Sequence, residues 1–223
     1  MIIMADYIND RDAAWGFGNA VLYRMCLHDA PTHRDKDEIA GKLWLIGRSY
    51  AASPERGAGE ASDEQDPDFF RFLAESPRWA EIDAALEDLS GACAFSTATL
   101  APVLQIHAML VKLIRERTEM RLPANKLPRA HTSFASKYLH FHRPDHFPIF
   151  DSYVNDAITR EYPRFRHVSA LGVDARYSRF CSLILRFRGE HADVGTLRSL
   201  DRKLYEKQRA YKAAQRRSKP SAT

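Results

Sequence analysis

Apolar positions recur along this chain mainly at spacings of three and four, the period of one face of an α-helix. From Ala13 to Leu27 the pattern sets Trp15, Val21, Leu22 and Met25 at helical intervals, behind the capping candidates Asn9 and Asp10. From Asp37 to Tyr50 it repeats with Ile39, Leu43, Ile46 and Tyr50, and then stops at Ser53-Pro54. A polar, glycine-containing stretch from Gly57 to Asp66 reads as a mobile loop. Phe69 to Leu89 reads as one helix after Pro67, and Thr97 to Met120 as the longest, with Leu100, Leu104, Ala108, Val111 and Ile114 on its apolar face. Nothing alternates with a period of two for long enough to form a sheet. The pattern predicts an all-α chain.

The region from Leu127 to Val154 is the most informative. Thr132 is placed to cap a helix running to about His142, which Arg143-Pro144-Asp145 ends. Phe147 to Phe150 then runs extended, because Pro148 keeps the residue before it out of the α region. Asp151 stands where the next helix begins, where free N–H groups and the helix dipole favour a carboxylate. Further helices follow from Asp174 to Arg188 and from Val194 into a Lys/Arg-rich end.

Composition narrows the picture. The chain has 223 residues, is 45% hydrophobic and carries a formal charge of +4, which suits one globular domain and permits an anionic partner. No apolar run is long enough for a membrane span, and no secretory signal is read at the start, so the expected location is the cytoplasm. Cys26, Cys93 and Cys181 are too scattered for a disulfide framework or a metal cage. Charge collects at the end: from Arg202 to Lys219 there are eight basic residues against Glu206 alone. We expect a compact unit over 1–210 and an unstructured basic tail over 211–223. His140, His142 and His146 cluster with Asp145, but their spacing matches no compact zinc motif; surface or phosphate-facing histidines are expected, and no metal.

The stretch Leu127-Pro128, Ser133, Ala135 and Pro148-Ile149-Phe150-Asp151 resembles the helix-hairpin-helix DNA glycosylase superfamily, over about 28 residues without a gap. In that family a Leu-Pro-Gly-Val-Gly hairpin precedes a helix carrying a role-defining Lys or Ser, and a Pro-Ile/Val-x-Asp segment carries the catalytic Asp. The flanking segments Lys42 to Tyr50 and Ser136 to Phe141 also look like bacterial 8-oxoguanine-glycosylase-like proteins. The resemblance implies a two-lobed helical bundle with the active-site cleft between the lobes and the hairpin at about 120–151. It implies a monomer that binds DNA and excises a damaged or modified base, oxidised guanine by default, with Asp151 catalytic. Ser133, eighteen positions before Asp151, stands where bifunctional members carry Lys, which implies hydrolysis by water without strand cleavage. Lys137 lies one turn further along the same face. It is either a displaced amine nucleophile or a cation that neutralises a phosphate or pairs with a nearby carboxylate.

Two departures matter. Arg129 and His131 replace the hairpin glycines, so backbone approach to a phosphate gives way to another hairpin shape or to contacts from Arg129, His131, Thr132 and Lys126. Only Cys181 lies after Asp151, which excludes the iron–sulfur cluster of some relatives, and no cofactor is expected. Trp15, Asn19, Arg48 and Tyr50, with Phe17 and Arg56, combine aromatic rings with hydrogen-bonding groups, as a pocket for an extruded base requires; they also read as core aromatics and a structural ion pair. Arg164, Arg166 and Arg176 are candidates for backbone contact. Two other functions fit the same residues: a non-catalytic helix-hairpin-helix DNA-binding protein, and a protein-interaction domain with a basic tail.

Overall fold

The computed structural model describes residues 14–54, 67–122, 129–191 and 195–217, and among them the protein is all-α, with no strand. Helix α1 (Ala14–Arg24) passes into a π-turn, Met25–Asp29, closed by Ala30 N–H donating to Met25 O at 2.8 Å. Helix α2 (Lys36–Ser49) is capped by the Asp35 carboxylate, which accepts from Asp37 N and Glu38 N at 2.9 and 3.0 Å. Next come α3 (Pro67–Ala74), α4 (Trp79–Asp88) and α5 (Leu100–Glu119). The remainder is α6 (Thr132–His142), α7 (Ser152–Glu161), α8 (Ala175–Glu190) and α9 (Leu197–Arg217). None of these is long and apolar enough to cross a membrane.

Three boundaries differ from the sequence reading. The single helix expected over Phe69–Leu89 is two, because Pro77 has no N–H to donate and its ring would strike the carbonyl four residues back. The break is sealed by Ser76 N and the Trp79 indole, which both donate to Leu73 O. Thr132 is the first residue of α6 and His131 precedes it as the cap position, without a side-chain cap. Helix α9 continues through Arg217, past the expected start of a tail at Tyr211. Contacts with α7 hold it: the Arg160 guanidinium lies 3.7 Å from the Tyr211 ring and the Lys212 ammonium 3.8 Å from the Tyr153 ring. The loop expected over Gly57–Asp66 and the caps Asn9 and Asp10 lie outside the described residues.

Helix α6 is the axis of the molecule. Every residue in it except Ser133 is buried, and α1, the π-turn, α2 and α5 pack around it. A helix enclosed on all sides needs partners for each polar group it carries. Tyr23 OH donates to His140 Nε2 at 2.6 Å, and His140 Nδ1–H donates to Phe147 O at 2.8 Å. Tyr138 OH donates to His33 Nε2 at 2.9 Å, while His33 Nδ1–H meets Asp83 at 2.5 Å. His142 Nδ1–H donates to Tyr138 O at 2.9 Å. The histidines expected at the surface, His140, His142 and His146, are all buried instead. They are aromatic core residues of α6 and of the turn that follows it, and burial holds all three below the usual histidine range.

Candidate functional site

Three side chains anchor the segment between α6 and α7. Ser136 Oγ accepts from Phe150 N at 2.9 Å and donates to Ser133 O at 2.9 Å. Tyr177 OH, from α8, donates to Pro148 O at 2.9 Å, and His140 holds Phe147 O as described. An extended segment inside a helical protein has no ladder partner for its backbone, and these side chains supply one. Their effect is to set Asp151 in extended geometry, φ −128° and ψ 148°, at the cap of α7.

The two oxygens of Asp151 have different partners. Oδ1 accepts from Tyr153 N at 2.8 Å and caps α7. Oδ2 faces Lys137 Nζ at 3.4 Å, and the same Nζ donates to Ser133 Oγ at 2.7 Å, one turn back along α6. The three residues named as catalytic candidates are thus in one hydrogen-bonded cluster. The Lys137 side chain is 3% exposed and that of Asp151 33%. Burial lowers the Lys137 pKa below the usual lysine value, and the charges of Asp151 and Asp201 oppose that effect without cancelling it.

The cluster opens into a cleft of about 320 Å³, which includes Tyr50, His131, Lys137, Asp151 and Arg176 in its walls. That volume is at the lower end of small-molecule sites, roughly 300–1,000 Å³. The N-terminal ends of three helices reach it: Ser133 and Phe134 of α6, Asp151 and Ser152 of α7, and Arg176 of α8. Helix N-termini carry partial positive charge, so the cleft favours anions beyond what its side chains contribute.

The expected base pocket is assembled only in part. Tyr50 lies in the cleft with its ring 5.6 Å from Lys137 Nζ, and its OH donates to Asn19 Oδ1 at 2.6 Å. Burial raises its pKa to about 12, so it remains a phenol. Asn19 is buried behind it, and its Nδ2 lacks a hydrogen-bond partner. Arg48 is half-buried and is not in the cleft wall; Phe17 is 69% exposed. The Trp15 side chain, Arg56 and Lys126 lie outside the described residues.

The expected phosphate contacts also need correction. Arg129 is exposed. Thr132 is 2% exposed, and its hydroxyl donates to the Asp174 carboxylate, so that hydroxyl is committed within the protein. His131 is buried in the cleft wall, with its pKa lowered to about 4 by burial and then by Arg129. It is neutral at pH 7, and its Nε2 has no partner. It offers the cleft a hydrogen bond and no charge.

Sequence reasoning passed over Ser136, Arg198 and Asp201. Arg198 and Asp201, one turn apart on α9, form an ion pair of 2.9 Å close enough to influence the site. Burial raises the Asp201 pKa to about 6, against the pull of Arg198 and with the help of Asp151. A serine in a helix and an i,i+3 charge pair are common sequence features, and neither marks a site by itself. Arg176 was among the backbone-contact candidates, but nothing in the sequence joined it to Asp151. Comparison of the chain with known protein families, with curated proteins and with solved structures finds no match.

Proposed function

We propose that this protein is a DNA N-glycosylase of the helix-hairpin-helix type, and that Lys137 is its nucleophile and Asp151 its catalytic carboxylate. One observation carries the proposal: a buried lysine amine with lowered proton affinity, 2.7 Å from Ser133 Oγ and 3.4 Å from the Asp151 carboxylate, in a cleft. The family resemblance selects Asp151 and the Ser133 position, Lys137 lies one turn along the same helix face, and a desolvated amine beside a carboxylate in a cleft is a pattern that serves covalent catalysis. The anion-favouring helix ends, the exposed Arg129 and the net positive charge support a nucleic-acid substrate. The two-lobed architecture, with the cleft between the lobes, belongs to the same proposal, and oxidised guanine is the first base to test.

In this reading the target nucleotide leaves the stack and enters the cleft. Neutral Nζ adds to C1′, and the C1′–N bond breaks with its electron pair going to the base. Asp151 stabilises the positive charge that develops on the sugar and takes the proton that the new C1′–N linkage must shed, passing it to the departing base. Transfer of the second nitrogen-bound proton to the ring oxygen opens the sugar to a Schiff base. Loss of a C2′ proton then expels the 3′ phosphate. Water finally releases Lys137. His131 Nε2 is the unpartnered group available to the edge of the base.

The Lys137–Asp151 ion pair also favours a second reading, in which Lys137 only balances charge and Asp151 activates water, without a covalent adduct. Borohydride trapping on duplexes carrying a panel of modified bases separates the two. We expect an adduct that Lys137→Ala removes; base release without an adduct selects hydrolysis. Asp151→Asn should lower base release at least about 100-fold while keeping DNA binding and the fold, since Asn caps a helix as well as Asp. Full activity in that variant overturns the proposal. Salt-dependent binding with no abasic product on any substrate leaves a non-catalytic DNA-binding protein.

A further inference from the structure

The connection between α7 and α8, residues 163–173, holds two large aliphatic side chains in water: Val168 is 93% exposed and Leu171 101%. Its two ends are firmly anchored. At the first end, Phe165 N donates to Tyr162 O at 3.0 Å, and the Phe165 ring packs on the core and stacks with His167 at 12°. His167 Nε2 is hydrogen-bonded to Ser178 Oγ at 2.8 Å, and Ser169 Oγ donates to Ala175 O at 3.5 Å. At the second end Gly172, at φ 81°, turns the chain into α8. Asp174 there accepts from Thr132 at the start of α6, and Tyr177 donates to Pro148 beside Asp151. The loop is therefore tied to the same elements that position the catalytic pair.

Apolar side chains on an anchored loop lose hydrophobic stabilisation that a partner would restore. The flanking charge says what kind of partner. Arg164, Arg166 and Arg176 are exposed around the two aliphatics, and Asp174, the one acid between them, is committed to capping α8 and to Thr132. Arg176 is also in the cleft wall. Leu171 is five positions before it, at most about 17 Å of extended chain, which is about five base steps at 3.4 Å. Arginines that grip phosphates beside an aliphatic wedge between base steps are a recurrent way to unstack a duplex.

We infer that the 163–173 loop is a duplex-contacting wedge, in which Arg164 and Arg166 hold phosphates while Leu171, backed by Val168, enters the base stack near the nucleotide taken into the cleft. The inference rests on the DNA reading above and adds the element that opens the stack. Both side chains are in solvent, so replacing them leaves the core untouched.

The test uses the full chain and duplexes carrying a fluorescent adenine analogue whose emission is quenched by stacking. With protein at saturation, the wild type should raise emission several-fold. The Val168→Ala/Leu171→Ala double variant should bind, by anisotropy, within about tenfold of wild type and leave emission near that of free duplex. Arg164→Gln/Arg166→Gln should instead weaken binding and reduce the salt slope by about two. Equal emission from wild type and the aliphatic double variant overturns the wedge. Failure of the wild type to bind duplex overturns it together with the DNA reading, as does binding to anionic phospholipid vesicles in place of duplex. Emission needs no chemistry, so unstacking with no base release from any modified duplex of the panel sinks the catalytic proposal and leaves the wedge standing.

Discussion

Asp151 and Ser136 show how single side chains carry two duties each. Asp151 caps α7 with one oxygen and faces Lys137 with the other. Ser136 accepts from Phe150 N–H and donates to Ser133 O, which links the backbone before Asp151 to the helix that carries Lys137. Ser136→Ala leaves a buried N–H without an acceptor, and should cost about 1–3 kcal/mol. Urea denaturation measures that loss. If Ser136 also aligns the pair, base release by Ser136→Ala falls under conditions where the variant remains folded, and Ser136→Cys recovers little of it. Lys137 and Ser133 were legible as one face of one helix, because four residues make about one turn. The burial of Lys137 was not legible, because it depends on residues that reach α6 from other parts of the chain.

At the scale of elements, the helix ends shape the site. Helix α2 ends at Ser49, and the chain leaves it through Ala51, whose φ of 49° is a left-handed value that glycine adopts without strain and alanine does not. Ala51 and Ala52 form part of the cleft wall, so this termination turns the chain at the edge of the site. Ala51→Gly should stabilise the protein by about 1 kcal/mol, and raise its Tm by about 2–4 °C. A drop in Tm would mean that the Ala51 methyl makes a contact worth more than the strain. Proline and the capping acids made several boundaries readable, with Asp151 and Asp174 in their expected places. The helix expected over Phe69–Leu89 was split because Pro77 outweighs the apolar period around it. The end of α9 was underestimated because a Lys/Arg-rich segment reads as solvated until its partners on α7 are known.

For the molecule as a whole, buried histidines dominate the response to acid. Burial lowers His107 and His131 to about 4 and His140 to about 3. In the unfolded chain the same groups take up protons near pH 6.5. Between about 6.5 and 4 the unfolded state therefore binds more protons, and stability falls as pH falls through that window. Asp201 acts in the opposite sense, since its folded pKa of about 6 lies above the usual carboxylate value and favours the folded state between 6 and 4. One carboxyl against three histidines leaves a net loss. Thermal unfolding should show a Tm that declines steadily from pH 7 to pH 4.5, and a constant Tm across that range would contradict burial of these rings in neutral form.

Local rules were enough to establish the helical class and the helix starts at Asp151 and Asp174, because the α-helix repeats every 3.6 residues and an acidic cap or a Pro marks some of its ends within a few positions. Tertiary structure alone decided which polar groups are enclosed. His140 meets Tyr23 across 117 positions of sequence, and Thr132 meets Asp174 across 42. The charge state of Lys137, the neutrality of His131 and the exposure of Leu171 follow from such long-range packing, since desolvation and pairing are properties of what surrounds a group in space.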